Sequence, residues 1–221
     1  MKPSIAIDLY FDVISPYSWI AFESLLRYSD AWSAHLNLVP FFLGKVMQTT
    51  GNKPPMMIPA KAVYMNEDLN LNGKYWGINF RLPSNPVETI LKRGSLSAQR
   101  FIVAVNKTYP SYTEPVAREF WKRVWSRDEP IHSTDNIREV AIATQLPEID
   151  LLLGQMETDE VKKILRENTE TAVSTGCFGA PWIVVRKDES EACFFGSDRL
   201  PLIAFFLGLP FCGALRPKKA M

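Results

Sequence analysis

The sequence predicts an α/β protein in which a small sheet-bearing domain is interrupted by an all-helical insertion. Three observations predict it. The N-terminal part, up to about Lys45, alternates strand, helix and strand. The middle of the chain, from about Pro54 to Gln155, carries repeated helix starts and no convincing strand. The remainder reads helix, strand, strand, helix. That order, β-α-β, helical block, α-β-β-α, is a thioredoxin-like domain with a helical insertion. The boundaries expected are 1–55 and 158–221 for the two parts of the sheet domain and 56–157 for the helical one.

Each element has a local reason. IAIDLYFDV, ending at Val13, is apolar and rich in β-formers, hence a strand. Ser15-Pro16 follows, and a serine just before a proline at the first helical position is a strong helix start. Ile20, Leu25 and Leu26 then recur at helical spacing, which carries that helix to about Tyr28. LNLVPFFLG, Leu36 to Gly44, is again extended, and a helix joining neighbouring strands makes them parallel.

In the helical block, starts fall at Asn85-Pro86, Ser95, Thr113-Glu114-Pro115 and Thr134-Asp135. Val116, Phe120 and Val124 share a helical stripe with Trp121 and Trp125, which read as core. A helix from about Thr158 to Ser174 is closed by Gly176. APWIVVRK and ACFFG are two strands joined by KDESE, a hairpin, and Ser197-Asp198 opens the last helix, DRLPLIAFFLG.

Bulk composition narrows the function. With 221 residues and 47% hydrophobic content the chain can bury a sizeable core. Lys and Arg number 25 against 24 Asp and Glu, so nothing points to nucleic acid or an anionic membrane as partner. The longest apolar run, PLIAFFLGLPF, is too short to span a membrane, and MKPSIAIDLY does not read as a signal peptide. Cys177, Cys193 and Cys212 are odd in number with no Cys-x-x-Cys pair, and His35 and His132 lie at no metal-ligand spacing. The expectation is a small-molecule ligand, no metal, no disulfide framework and an intracellular, reducing compartment. Cys177 and Cys193 read as buried small hydrophobes, and His132 as a surface residue.

Three features carry chemistry. In this topology Ser15 occupies the place where thioredoxin-like proteins hold their reactive residue, and the turn Ser15-Pro16-Tyr17-Ser18 has serine at both ends. Serines form no disulfide, but a hydroxyl at a helix N-terminus can donate to a thiolate that a ligand brings. Pro181, in Gly179-Ala180-Pro181, opens a strand where the thioredoxin fold keeps a cis peptide, leaving the preceding backbone free to pair with an extended peptide. Ser197 can hold a carboxylate and Asp198 an ammonium, together the zwitterionic end of an amino acid. Each also has a plain structural meaning: a helix cap, a trans proline at a strand start, and a capping serine followed by a dipole-favourable aspartate.

SPYSW, GNKPP (Gly51 to Pro55), KRGSLSAQRF followed by AVN, RVWSRDE, FGAPW and FFGSDRL occur in the order that resembles kappa-class glutathione S-transferases over nearly the whole chain. The resemblance implies a DsbA-like fold, a homodimer, and glutathione as cosubstrate. It implies that Ser15 stabilises the glutathione thiolate, with Pro16 and Tyr17 continuing the contact loop. Asn52 and, less directly, Lys61 match glutathione-binding positions. Ala180 matches the residue whose backbone meets the cysteinyl part, where relatives often carry Leu or Val, so the pocket wall is enlarged. Ser197 and Asp198 match the γ-glutamyl pair. The implied activity is addition of the bound thiolate to small electrophiles. The 2-hydroxychromene-2-carboxylate isomerases, which also use glutathione, are a close alternative, and a non-catalytic peptide-binding chaperone a more distant one. The family is associated with mitochondria and peroxisomes, so the mitochondrial matrix or peroxisome is the expected location, although no address is legible.

Overall fold

The computed structural model describes residues 5–215. Strand β1 (Ile5–Phe11) leads through helix α1 (Pro16–Trp32) to β2 (His35–Pro40), the parallel partner of β1, with Ala6 opposite His35 and Phe11 opposite Pro40. Much later in the chain, β3 (Trp182–Lys187) returns antiparallel on the other side of β1, and β4 (Ser190–Phe195) pairs antiparallel with β3. The sheet order is therefore β2-β1-β3-β4, with β1 central. Ile7, Leu9 and Phe11 on one face of β1 are fully buried, as period-two alternation in a covered strand requires.

Between β2 and β3 the chain is helical: α2 (Leu43–Thr50), α3 (Pro59–Trp76), a wide-pitched turn Val87–Arg93, α4 (Leu96–Thr108), α5 (Thr113–Lys122) continuing into a second wide turn Arg123–Arg127, α6 (Thr134–Ala143), α7 (Ile149–Gln155) and α8 (Asp159–Ser174). After β4 a single tight turn, Ser197–Arg199, precedes α9 (Leu200–Leu207), which Gly208 ends in the left-handed conformation. Helix α1 packs against β1, β2, α3 and α5, and α4 and α8 pack against β2. Phe11, Phe22 and Trp19 gather around Trp121, with the Phe22 and Trp121 rings 4.8 Å apart. Trp121 and Trp125 are core, as the helical stripe indicates.

Four sequence expectations need correction. The extended reading of LNLVPFFLG fails at its end, because α2 begins at Leu43. Phe42 supplies no side-chain cap; the Leu43 N–H is instead taken by Asp12 Oδ2 at 3.0 Å, a cap from 31 residues away. Cys193 is exposed, not buried, since it lies on the outer face of the β3–β4 hairpin, while Cys177 is buried. His132 is half-buried beside Ile131 rather than fully on the surface. The hairpin loop is also shorter than KDESE, with a turn at Asp188 and Glu189 in which Asp188 takes a positive φ of 54°. No helix among the described residues is long and apolar enough to cross a membrane.

Candidate active site

The N-terminus of α1 is built by Ser15 itself. Its backbone is extended, Pro16 takes the first helical position, and its Oγ accepts the Ser18 N–H at 3.1 Å. The Ser15 hydroxyl proton is directed at the Ala180 carbonyl, 3.4 Å away and 165 residues on in the chain. That distance is at the outer limit for an O–H donor, so the bond is weak and cheaply exchanged. Ser18, by contrast, is fully buried and its Oγ has no partner among the described residues.

Three buried groups fix the turn that carries Ser15. The Asp12 carbonyl accepts the Ser15 N–H at 3.0 Å, and Asp12 Oδ1 accepts the Ile14 N–H at 3.0 Å. Gln99 on α4, wholly buried, accepts the Val13 N–H and donates to the Phe11 and Phe41 carbonyls at 2.8 and 2.7 Å. Trp121 on α5 donates its indole N–H to the Ser15 carbonyl at 3.0 Å.

Burial without a cation pushes the Asp12 carboxyl up to about 6, against the lowering effect of its hydrogen bonds from Ile14, Ser95 and Leu43. The native protein therefore takes up this proton at higher pH than the unfolded chain does, near its ordinary value of about 3.9. Stability contributed at this site rises as pH falls through the window from about 6 to 4, and the ionised form is a cost above it. Relative to Asp12→Asn, the wild type should gain roughly 2–3 kcal/mol between about pH 7 and pH 4 in urea unfolding. A stability difference that stays flat with pH would show that this carboxyl titrates normally.

Opposite Ser15, the Ala180–Pro181 peptide is cis. Strand β3 begins only at Trp182, and no hydrogen bond among the described residues takes up the Ala180 N–H. Pro181 gives its carbonyl to the Gly196 N–H at 3.2 Å, which ties the loop to the start of the γ-glutamyl candidate segment. Asn52 follows Gly51, whose φ of 74° ends α2, and donates Nδ2 to the Phe178 carbonyl at 2.7 Å. The loop Gly51 to Pro55 and the loop preceding Pro181 are thus held together.

Ser197 is buried and Asp198 exposed, with an Asp198 oxygen 3.3 Å from Arg199. Gly196 has a φ of 104°, and a Cβ there would lie 2.6 Å from Asp198 Oδ1, so this glycine leaves space for the carboxylate. Tyr17 donates its hydroxyl to Asp68 on α3 at 2.8 Å. Its phenol is held well above the usual range by burial first, then by that bond and by the charge of Asp68, with Tyr64 and Asp198 adding to it. Asp68 and, more weakly, Asp198 therefore both bear on the Tyr17 hydroxyl, an environment that suits a cationic group. Lys61 stands exposed in the first turn of α3, with no hydrogen bond or ion pair among the described residues.

A DSBA-like thioredoxin domain model matches residues 6–208. Glutathione S-transferase kappa 2 of Caenorhabditis elegans is 39% identical over 216 residues, covering 96% of each chain. Human glutathione S-transferase kappa 1 is 39% identical over 213 residues, covering 96% of this chain and 94% of its own. The chain belongs to the kappa-class glutathione S-transferases. Among solved structures, a 2-hydroxychromene-2-carboxylate isomerase superposes with a TM-score of 0.75 at 18% identity, over 92% of this chain and 94% of that one, a likeness of fold.

For this kappa-class chain the structure brings Ser15, Pro16, Tyr17, Ala180 and Pro181 to one place, links Asn52 to it through Phe178, and joins Ser197 to it through Gly196. Lys61 is the residue left without a tie to the others. Sequence reading missed Asp12, Asp68, Gln99 and Ser95. Of these only Asp12 carried a signal, as an acidic residue at the end of an apolar strand just before a turn.

Proposed function

We propose that the protein binds glutathione across Ser15, Asn52, Ala180 and the Ser197–Asp198 turn, and joins the whole glutathione, through its sulfur, to small electrophiles. One observation carries the reading: the hydroxyl at the α1 N-terminus faces the Ala180–Pro181 loop, where the Ala180 N–H is untaken among the described residues. An extended peptide can pair with that backbone and set its cysteinyl sulfur beside the hydroxyl. The hydroxyl and the helix terminus then favour thiolate over thiol. An unperturbed thiol near 8.5 that is lowered by about two units is mostly anionic at neutral pH.

The thiolate sulfur forms the new bond with its lone pair. The electrophile's leaving group departs with the electrons of the broken bond, or, in an addition to an activated double bond, the π electrons move to the neighbouring carbon, which takes a proton from water. Incubation of the purified protein with glutathione and a chlorodinitrobenzene tests this: a glutathione conjugate should form and free thiol should disappear. Turnover of a substrate with glutathione unconsumed would instead favour the isomerase reading.

The family resemblance and the exposed apolar surface support a homodimer. Tyr64, Leu71 and Tyr75 form one exposed stripe on α3, and Phe205 on α9 is 85% exposed. Sedimentation equilibrium at micromolar concentration should give about twice the 25.1 kDa of one chain. A mass of one chain would refute the dimer.

A further inference from the structure

We propose that Asp12 is a positioning residue for the Ser15 hydroxyl: its buried carboxylate joins the Ser15 turn to the starts of α2 and α4. The proposal rests on the reading that Ser15 stabilises the glutathione thiolate. Asp12 lies at the end of β1 with no exposed surface. Its two oxygens accept the Ile14 N–H within the turn and the Leu43 N–H that begins α2, and the Ser95 hydroxyl reaches the same carboxylate. Ser95 precedes α4 and makes no cap of its own to that helix. Its hydroxyl thus serves Asp12 instead.

A lone buried carboxylate in a protein core is costly, and a chain that needed only a turn there could use a neutral asparagine. What asparagine cannot do is accept two backbone N–H groups at once from opposite oxygens, because its amide nitrogen is a donor. The carboxylate does accept both, which fixes the turn's orientation between β1, α2 and α4. Helix α2 in turn ends at the loop bearing Asn52, which has its own anchor on the Phe178 carbonyl and so does not depend on Asp12. Asp12 is separated from the ligand by the turn itself; it acts through Ser15.

The test is the ultraviolet titration of the thiol of glutathione bound to Asp12→Asn, Ser95→Ala and Ser15→Ala, with S-methylglutathione, which has no thiol, as a binding probe. In Asp12→Asn the bound thiol pKa should rise by about one unit, a tenfold loss of thiolate below it. Affinity for S-methylglutathione should stay within about threefold, as a general loss of fold would not allow. Ser95→Ala should shift the titration in the same direction by less. Adding Asp12→Asn to Ser15→Ala should move the titration no further, because both act through one hydroxyl. An unmoved titration in Asp12→Asn, or a shift of equal size with and without Ser15, overturns the proposal. If Asp12→Asn does not fold, Ser95→Ala decides, since it keeps both N–H bonds, and an unmoved titration there overturns the proposal. If Ser15→Ala alone leaves the titration in place, it is the thiolate reading of Ser15 that fails.

Discussion

Ser15→Ala should leave glutathione bound but raise the pKa of its bound thiol by about one unit or more. The alanine removes one hydroxyl and keeps the helix N-terminus, the Ala180 backbone and the Ser197–Asp198 turn. A hydrogen bond from a neutral donor to a charged acceptor contributes roughly 1.5–3 kcal/mol, which is about one to two pKa units. The exchange that the wild type makes is inexpensive: the hydroxyl gives up a 3.4 Å contact to the Ala180 carbonyl while its oxygen keeps the Ser18 N–H. The conjugation rate near pH 6.5 should therefore fall at least about tenfold, and the rate near pH 9 much less, because high pH restores the thiolate without help. Ser18→Ala is the control. Its hydroxyl is buried and has no partner among the described residues, so its loss should leave the bound-thiol titration alone. A titration in Ser15→Ala that overlays the wild type would reduce Ser15 to a helix cap.

Asp198→Asn should raise the KM for glutathione by roughly ten- to a hundredfold, with kcat little changed. The carboxylate faces solvent and Arg199; in the proposed binding mode it would receive the γ-glutamyl ammonium, away from the reacting sulfur. Its contribution is thus the same in ground and transition states, and losing such uniform binding appears in KM. A charged hydrogen bond of roughly 1.5–3 kcal/mol gives that range. Asp68, held by Tyr17 of α1 and by Asn72 one turn on in its own helix, leaves part of the negative environment in place. Steady-state kinetics with glutathione varied at fixed electrophile gives the answer; a fall in kcat at unchanged KM would misplace the residue.

What the sequence made legible is what depends on neighbours in the chain. Apolar runs, the Ser15-Pro16 start and the glycine stops lie within a few residues of the elements they define, and those elements appear where expected. The start of α2 was hidden because its cap is the side chain of Asp12, and nothing local at Phe42 or Leu43 announces it. Gln99 reads as one polar residue on an otherwise apolar stripe of α4; only the fold shows that its amide serves Val13, Phe11 and Phe41. The exposure of Cys193 follows from which face of the hairpin it takes, and a strand's alternation does not say which face is covered. Positions matching a family motif could be named as candidates from the sequence, while Asp12 and Asp68, whose meaning lies in remote partners, could not.

The contacts of Gln99 and Trp121 reach beyond local packing. Both sit in the helical block, yet one bonds the exit of β1 and the other the carbonyl of Ser15. An engineer who trimmed the block to obtain a minimal sheet domain would discard the mountings of the Ser15 turn. Conversely, Trp121, one of six tryptophans, is the indole bonded to the Ser15 carbonyl and stacked on Trp19, so its share of the emission is tied to that turn without any added label.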